Sequence, residues 1–517
     1  MKFTKLFFNS KRVFTSAFSI TAFGSVLAYN FYSHFNAELT EEQRIVLCLE
    51  KLNSFNEDLK LKNPELDENR VLTPQNSNLE AIDQYANANH SYHTGVKPIA
   101  VFYPSSTEEV VQIVKICNNL NIPITAFGTG TNLEGSVVPL KRCVMIDFER
   151  MNQIKKLYNE DFQATVEPGV QWMLLNEELE KHGLFFPMDP GPGASIGGMV
   201  NTNCSGTNAV RYGTMKDWII NLTVVLSDGR VIKTANRAKK SSAGYNLNSL
   251  FCGSEGTLGI VTEITIKLAP LEKEYSVFNI AFDDIQDAIN SCTQIIQAGI
   301  QPSALEFLDD QQIKANNLSS HKKLLEKQHL LIKIGGSELY RKEVINKILD
   351  ITKKNHGMEP NYALDTKEAS EIWLIRRRSL WSTQKMRPGS KIYITDVCVP
   401  ISNLTTSLKE VKEDIKKSGI LATIVGHVGD GNYHLFICVD HNNKEEFKKV
   451  EELHDKLVKR ALELEGTCTG EHGIGIGKRK YLLKEKSEET FKFMKQLKRF
   501  IDPKGIFNPG KIFFLDE

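Results

Sequence analysis

The chain has 517 residues, enough for two or three domains that each bury a core. Its 64 lysines and arginines balance 63 aspartates and glutamates, so the formal net charge of +1 gives no electrostatic reason to expect a nucleic-acid partner. The nine cysteines are scattered without a C-x-x-C pair, which argues against a disulfide scaffold and against a structural zinc ribbon.

The amino-terminal segment has the composition of a mitochondrial presequence. Residues 1–37 are rich in Phe, Ser and Thr, and the first acid is Glu38. The uncharged stretch from Val13 to Tyr32 is near the length that crosses a bilayer, although its polar residues make it a poor anchor. We predict mitochondrial targeting, with inner membrane, intermembrane space and matrix left open; a secretory signal and a disordered leader are the alternatives. The basic residues here are Lys2, Lys5, Lys11 and Arg12.

The next elements alternate between strands, helices and glycine-rich loops. Residues 38–97 are polar and predict a connector with one helix near 42–52. The run IAVFYP after Pro98 predicts a strand, and apolar residues at helical spacing predict a helix over Thr107–Asn119 behind a Ser or Thr cap. Strands and glycine-rich loops then follow as far as Pro270, which indicates one domain.

A second domain is indicated after residue 272. Strands such as YSVFNIAF and LLIKIGG alternate with longer helices, which predicts an α+β domain whose sheet carries helices mainly on one face. The helix Glu445–Glu465 is typical, because its apolar residues form one stripe and Gly466 follows as its stop.

The first glycine-rich loop, ITAFGTGTNLEG, imitates a Rossmann fingerprint. Gly128, Gly130 and Gly135 can bring backbone N–H groups against phosphate. The residues between Gly135 and Cys143 are too few for the crossover helix that a parallel strand pair requires, and Pro139 interrupts them. The spacing therefore argues against a nicotinamide cofactor.

Two further loops are also rich in glycine. The longer one, FFPMDPGPGASIGGMVNTNCSGTNAVRYGTM, is more economically explained by close approach to a ligand than by a plain turn. Its glycines are Gly191, Gly193, Gly197, Gly198, Gly206 and Gly213. The third, GSEGTLGIVTEITIKL, contains Gly253, Gly256 and Gly259, and a β-hairpin corner explains it equally well.

Two histidines and a glutamate predict a metal site. In IVGHVGDGNYHLFICV, strands 421–428 and 433–439 joined by a tight turn would let His427 and His434 converge. TCTGEHGIGIGK presents Glu471 and His472 on a glycine-rich loop. Two imidazoles and a carboxylate are a common set for Zn or Mn, although a histidine pair beside a turn can also simply bond the backbone.

Oxidation of a hydroxy acid would use all of these groups. It needs a cation at the carboxylate, a polariser and a base at the hydroxyl, and an acceptor for the hydride. A metal, His472 as base and Arg376 in WLIRRRSLW could supply the first three, while the glycine-rich loops could hold the acceptor. The alternatives are that the three consecutive arginines form one solvated turn, and that the metal serves a hydrolase.

The loops together resemble the FAD-binding domain of the vanillyl-alcohol oxidase and p-cresol methylhydroxylase flavoproteins. The resemblance implies an α+β protein in which a two-subdomain FAD-binding domain at 98–272 precedes an α+β cap domain at 273–500 with an antiparallel sheet. It also implies non-covalent FAD, because no histidine occurs between His93 and His182. The implied FAD-binding residues are Pro104, Gly128, Thr129, Gly130, Thr131, Asn132, Gly135, Asp189, Ile196, Gly197, Gly198, Asn201, Gly206, Glu255, Gly256 and Ile260.

The segments HVGDGNYH, GEHGIGIGK and DPKGIFNPGKI resemble the carboxy-terminal domain of FAD-linked oxidases, and the likeness covers residues 98–514. It implies a divalent metal, most simply Zn with Mn as the alternative, on His427, His434 and Glu471. It further implies His472 as base and Arg376 at the substrate carboxylate. The segment 501–517 would return to the flavin through Asn508.

Within that family, GTGTNLEG and TDVCVP look most like the branch that oxidises D-lactate, which implies electron transfer to a carrier such as cytochrome c. The apolar Ile394 and Phe436 fit a methyl side chain. Arg377 or Lys391 could still reach a longer acid, which leaves D-2-hydroxyglutarate and glycolate open. Relatives often have Arg-His where this chain has Arg376 and Arg377, and a flavin-dependent ether-lipid synthase is a further alternative.

Overall fold

The computed structural model describes residues 39–65, 70–74, 79–87, 91–320 and 323–515. The predicted targeting segment lies outside these residues. Among the helices within the described ranges, none combines the length and the apolar character needed to span a bilayer.

The first layer is a small mixed sheet covered by helices. Its strands run in the order β1-β2-β4-β3, with β2, β4 and β3 parallel and β1 antiparallel to β2. The elements are α1 (Glu41–Lys62), β1 (Val71–Leu72), α2 (Leu79–Ala86), β2 (Ala100–Phe102), α3 (Thr107–Leu120), β3 (Ile124–Phe127) and β4 (Val144–Asp147).

The segment predicted as a connector is part of this packed layer. Its helix does not end near residue 52 but continues to Lys62, and Ile45, Cys48 and Leu52 join the core that α3 shares with the sheet. The capping box of Thr40 and Gln43 fixes the start of α1. The helix predicted over 107–119 is confirmed, with Ser106 as its N-cap.

The connection from β3 to β4 corrects one expectation. These strands are parallel neighbours, yet residues 128–143 join them without the crossover helix that parallel pairs usually carry. The first glycine-rich loop takes the place of that helix. Spacing alone therefore correctly excluded a helix here, but the assumption that a parallel strand pair requires one was wrong.

A second sheet of five antiparallel strands has the order β5-β6-β10-β8-β9, and the other two glycine-rich loops precede β8 and β10 in the chain. Its strands and those of a small two-stranded ribbon are β5 (Ile154–Tyr158), β6 (Gln163–Val166), β7 (Leu184–Phe185), β8 (Ile219–Val225), β9 (Val231–Lys233), β10 (Ile260–Lys267) and β11 (Ala269–Pro270). The helices are α4 (Trp172–Glu180), α5 (Ile196–Thr202), α6 (Ala209–Tyr212), α7 (Met215–Trp218) and α8 (Leu247–Phe251).

The rest of the chain forms a long antiparallel sheet with the order β15-β12-β14-β13-β18-β19-β16, and β17 also pairs with β19. Its strands are β12 (Tyr275–Phe282), β13 (Ala304–Leu308), β14 (Gln328–Gly335), β15 (Asn361–Ala363), β16 (Lys391–Ile394), β17 (Val397–Cys398), β18 (Ala422–His427) and β19 (Asn432–Val439). The helices are α9 (Ile285–Gln297), α10 (Asp310–Ser319), α11 (Glu338–Lys354), α12 (Thr366–Arg377), α13 (Ser379–Lys385), α14 (Ile401–Ser418), α15 (Lys444–Glu463), α16 (Arg479–Glu485) and α17 (Glu488–Ile501).

Both faces of the long sheet carry several helices, so the expectation that the helices lie mainly on one face was wrong. Helices α9, α11, α14 and α15 pack on one face, where they share a core with alternate residues of the strands. Helices α10, α12 and α13 cover part of the other face around Val277, Leu331 and Val425. The uncovered part of this second face, which we call the site face, is where the polar side chains gather.

The stop of α15 also differs in detail. Glu465 rather than Gly466 takes the left-handed conformation, with a φ of 63°. The N–H of Gly466 then donates to the carbonyl of Ala461 at 2.8 Å, which closes the last turn. The predicted hairpin of β18 and β19 is confirmed.

Candidate active site

One large cavity lies between the glycine-rich loops and the site face of the long sheet. Its volume is about 1360 Å³, and its walls combine the three loops with side chains of β14, β18, β19 and α12. Most small-molecule pockets measure roughly 300–1,000 Å³. The cavity therefore has room for a dinucleotide together with a small substrate.

Most residues predicted to contact FAD line this cavity, and four do not. Pro104 is buried after β2, Ile196 packs into the core, Gly135 turns the first loop, and Asn508 lies behind the loops. Their roles, like those of the lining residues, stay predictions. The predicted residues on the wall are Gly128, Thr129, Gly130, Thr131, Asn132, Asp189, Gly197, Gly198, Asn201, Gly206, Glu255, Gly256 and Ile260.

Glycine is required in this cradle because two backbone segments meet there. A Cβ atom at Gly128 would collide with the hydroxyl of Ser195, and one at Gly197 would lie 2.5 Å from the Cβ of Pro168. Ser195 in turn caps α5 by accepting the N–H of Gly198 at 3.4 Å. The first loop is thus pressed against the start of α5, and both offer N–H groups to an anion such as a pyrophosphate.

Asn508 fastens two of the loops from behind. Its Nδ2 donates to the carbonyl of Ser136 at 2.9 Å and to that of Glu255 at 2.7 Å. The chain end therefore returns to the loops, although it contacts their backbone rather than the cavity. Asp189 joins two parts of the second loop, since its carboxylate accepts the hydroxyl of Thr207 at 2.5 Å and the N–H of Asn208 at 3.1 Å. Burial raises the pKa of Asp189 to about 6.

His427, His434 and Glu471 come together on the site face, with one ligand atom of each within 4.8 Å of the others. Glu471 Oε1 lies 3.5 Å from His427 Nε2 and 3.2 Å from His434 Nε2. Tetrahedral ligands at Zn distances of about 2.0–2.1 Å lie about 3.4 Å apart, which these separations match. The donor set therefore fits a divalent ion, and its assignment as a metal site stays a prediction.

The other ring nitrogens are already engaged, which directs both Nε2 atoms to the same point. His427 Nδ1 lies 2.7 Å from Glu306 Oε1, and His434 Nδ1 lies 2.9 Å from the carbonyl of Thr395. Although burial opposes it, the hydrogen bonds and charges of His427 and His434 hold the pKa of Glu471 well below its usual range. Such partners behind metal-ligating histidines fix ring orientation and tautomer.

His472 stands beside this cluster. Its ring stacks on His434 with centroids 5.2 Å apart, and its Nε2 lies 4.0 Å from Glu471 Oε1. Burial lowers the pKa of His472 to about 4, so the imidazole is neutral near pH 7 and can accept a proton. Its buried Nδ1 has no partner among the described residues, as expected of a side chain completed by a ligand.

Asp396 organises the loop that carries Glu471 and His472. Its Oδ2 accepts the backbone N–H groups of Gly470 at 2.8 Å, Glu471 at 2.9 Å and His472 at 3.0 Å. Buried Lys478 lies 3.5 Å from the same oxygen and holds the pKa of Asp396 well below its usual range, against the effect of burial. Neither residue was predicted, although Asp396 lies within the TDVCVP segment.

The same loop is fastened to the first and third glycine-rich loops. Asn132 Nδ2 donates to the carbonyl of His472 at 2.8 Å, and Glu255 accepts the N–H groups of Ile474 at 2.7 Å and Gly475 at 2.8 Å. Burial raises the pKa of Glu255 to about 7. The predicted FAD-binding residues Asn132 and Glu255 thus also position the predicted catalytic loop.

Arg376 reaches the cavity and is held in place by Glu306, whose Oε2 accepts its Nε–H at 2.6 Å. Arg377 and Arg378 line the same cavity but are exposed, so the solvated-turn interpretation fits them and not Arg376. Lys391 is exposed and does not line the cavity.

The apolar residues Ile394 and Phe436 do line it, as expected. Lys333, which was not predicted, also does, with its ammonium 4.3 Å from the Tyr275 ring centroid.

Two family models match the chain. One describes the FAD binding domain and covers residues 98–235, and the other describes the C-terminal domain of FAD linked oxidases and covers residues 271–512. A mitochondrial D-lactate dehydrogenase (cytochrome) of Arabidopsis thaliana is 44% identical over 424 residues, which cover 82% of this chain and 75% of the relative. The chain belongs to the family of FAD-linked oxidases.

Other relatives agree. The mitochondrial D-lactate dehydrogenase (cytochrome) 1 of Saccharomyces cerevisiae is 41% identical, with 97% of this chain and 90% of the relative covered. The crystal structure of p-cresol methylhydroxylase with substrate bound has a TM-score of 0.71 at 18% identity, with 90% of this chain and 98% of that chain covered. The predicted fold and FAD are thereby confirmed, and the chain is a flavoprotein oxidoreductase of the D-lactate dehydrogenase (cytochrome) type.

Proposed function

We propose that this protein uses non-covalent FAD and a divalent metal to oxidise D-lactate, or a similar small D-2-hydroxy acid, to the 2-oxo acid. The observation that carries the proposal is the convergence of His427, His434 and Glu471 with His472 in the cavity that the FAD-binding loops also line. The only cavity-lining histidines among the described residues are these three, and the first loop contains none to attach a flavin.

Each group of the cavity has a role in this proposal. FAD supplies a two-electron acceptor when bound, and an ion such as Zn or Mn supplies a Lewis acid that lowers the pKa of the substrate hydroxyl. Neutral His472 accepts the hydroxyl proton. Arg376 binds the substrate carboxylate with its terminal nitrogens, because its Nε is already engaged by Glu306.

The walls favour a small substrate. Ile394 and Phe436 leave an apolar surface beside the predicted metal ligands, which suits the methyl group of lactate and offers no partner to a second carboxylate. Lys333 also lines the cavity, but its ammonium lies against the rings of Tyr275 and Trp373. Arg377 and Arg378 line it as well, but both are exposed to solvent. D-2-hydroxyglutarate and glycolate are therefore second to D-lactate.

The relatives and the sequence support a proposal for the electron acceptor and the compartment. Proteins named D-lactate dehydrogenase (cytochrome), mitochondrial, are 41–44% identical to this chain, so we infer electron transfer to cytochrome c and a mitochondrial location. Residues 1–37 would direct the import. Protease protection of intact and swollen mitochondria would separate the intermembrane space and the inner membrane from the matrix.

Anaerobic reduction of the bound flavin tests the activity directly. The purified yellow protein should lose its flavin absorbance with D-lactate, should not respond to L-lactate, and should respond less to glycolate and D-2-hydroxyglutarate. Elemental analysis should find about one divalent ion per chain, and reduced protein should transfer electrons to ferricytochrome c. A protein that stays yellow with every 2-hydroxy acid would refute the proposed activity.

A further inference from the structure

A buried carboxylate joins the predicted metal site to the predicted carboxylate clamp. Glu306 lies in the middle of β13 with no exposed surface. Its Oε1 lies 2.7 Å from Nδ1 of His427, and its Oε2 lies 2.6 Å from Nε of Arg376. Each oxygen of one side chain thus holds a different part of the site.

The sheet fixes this arrangement. Phe307 pairs with Gly426 in the antiparallel register of β13 and β18, which places Glu306 beside His427 on the site face. Arg376 comes from α12, which packs over β12 on the same face of the sheet. Since a central strand cannot shift without breaking both of its neighbours, the carboxylate is a rigid reference point for both side chains.

We propose that Glu306 is a positioning residue that sets the distance between the metal ion and the substrate carboxylate, and thereby restricts the enzyme to 2-hydroxy acids. This proposal rests on the proposed function. Glu306 keeps the proton of His427 on Nδ1, which leaves Nε2 free to bind an ion. It also holds Arg376 by Nε, which leaves the terminal nitrogens to bind a carboxylate.

The consequence concerns substrate class. In a 2-hydroxy acid the hydroxyl and the carboxylate sit on adjacent carbons, whereas a 3-hydroxy acid separates them by one more carbon. Two binding groups anchored to one rigid side chain match only one of these separations, since misplacement of about 1 Å can cost on the order of a hundredfold in rate. A looser anchor should reduce this discrimination.

Glu306→Gln is the informative variant because it keeps the shape and removes one acceptor. A carboxylate accepts both N–H groups, but an amide accepts only one of them and turns its own NH₂ group toward the other. A simple loss of folding stability would not change substrate preference. Glu109→Gln is the matched control, because Glu109 also pairs with a buried arginine, Arg70, and lines no part of the cavity.

The experiment compares wild type, Glu306→Gln and Glu109→Gln as FAD-loaded full chains. Calorimetric titration with Zn²⁺ measures metal affinity, and flavin reduction measures kcat and KM with D-lactate and with D-3-hydroxybutyrate. For Glu306→Gln we expect metal affinity about 10–100-fold lower, as for other partners of metal-ligating histidines. We also expect a KM for D-lactate that rises more than kcat falls, and a smaller preference for D-lactate over D-3-hydroxybutyrate. The control should retain the wild-type values.

Wild-type metal affinity in Glu306→Gln, or an unchanged preference between the two acids, would overturn the proposal. If Glu306→Gln does not fold, the same measurements on Glu306→Asp decide, because the shorter side chain keeps the charge but cannot reach both partners. The proposed function fails in a different way, namely if wild-type protein binds no Zn²⁺ or reduces its flavin with no 2-hydroxy acid.

Discussion

The two walls of the cavity are built on opposite principles. The cradle of glycine-rich loops offers mostly backbone N–H groups, and its glycines matter because they lack a Cβ atom, as at Gly128 and Gly197. The site face offers charged and ionisable side chains, among them His434, Glu471 and Arg376, whose orientation is fixed by buried partners. We therefore expect substitutions that add atoms to impair the first wall. Substitutions that remove a charge or a proton acceptor should impair the second wall.

The largest effect is expected where the second wall loses a metal ligand. Glu471→Gln removes the negative charge between two imidazoles and, with it, several kcal/mol of charge stabilisation. We expect loss of bound metal and a fall in kcat of at least about a thousandfold. FAD content by absorbance should stay unchanged, because the amide oxygen of Gln can still accept the hydrogen bond that Ser205 of the second loop donates to Glu471.

Glu463→Gln serves as the control, since Glu463 is an exposed carboxylate near the end of α15. Full metal content in Glu471→Gln by elemental analysis would contradict the ligand assignment and the contrast between the two walls.

A loss of the proton acceptor should be nearly as severe but should leave both bound groups in place. His472→Ala removes the neutral imidazole beside His434, and a general base contributes roughly 10²–10⁴-fold. We expect normal FAD and metal content and flavin reduction by D-lactate slowed by that factor in stopped flow. His441→Ala, an exposed histidine, is the control. Reduction at the wild-type rate would remove His472 as the base.

The two walls also differ in how far the sequence predicts them. Glycine composition locates the cradle, because a run such as GTGTNLEG has few other physical explanations, and the hairpin of β18 and β19 follows from its turn and alternating apolar residues. The spacing of His427 and His434 was enough to predict their convergence. The α+β class was predictable from the alternation of helical and strand patterns.

The residues that position the site were not predictable in this way. Glu306 and Asp396 are single charged residues inside apolar strands or loops, and Lys478 is the first of three consecutive basic residues, so nothing local marks any of them as a buried positioning residue. Their roles depend on partners at least 36 residues away, such as Asn432 for Asp396 and Arg376 for Glu306. The packing of α1 was missed for the same reason, because a polar segment separates α1 from its partner α3 in the sequence.

Loss of the Asp396 carboxylate, which positions the loop that carries Glu471, should have an intermediate effect on metal binding. Asp396→Asn replaces an oxygen that accepts three backbone N–H groups by an amide that can turn an NH₂ group toward them. We expect metal affinity about 10–100-fold lower with FAD retained. Asp284→Asn is the matched control, because exposed Asp284 also accepts a backbone N–H group, that of Gln286, and does not line the cavity. Equal metal affinity in both variants would show that Asp396 does not position Glu471.

An added methyl group tests the first wall. In Gly197→Ala the new Cβ would lie 2.5 Å from Pro168, and overpacking of this kind costs about 1–3 kcal/mol. We expect FAD to bind about tenfold more weakly in fluorescence titration, while the apoprotein keeps its affinity for Zn²⁺. Gly191→Ala should weaken FAD less, because nothing lies within 4 Å of its Cβ position. Similar affinities in the two variants would contradict the steric account of the cradle.

The smallest effect is expected at Glu255, the carboxylate that links the walls. Burial raises its pKa to about 7, so the folded protein binds a proton more readily than the unfolded chain between about pH 4.5 and 7. This contribution to stability is present below pH 4.5 and is lost as the pH rises through 7. Glu255→Gln removes the titration but keeps one acceptor for the N–H of Ile474 or Gly475. With saturating FAD, the Tm of wild type minus the Tm of Glu255→Gln should therefore fall by a few degrees from pH 5 to pH 8. A difference that is constant or grows over this range would show that Glu255 is already ionised at pH 5, held so by the two N–H groups of the predicted catalytic loop.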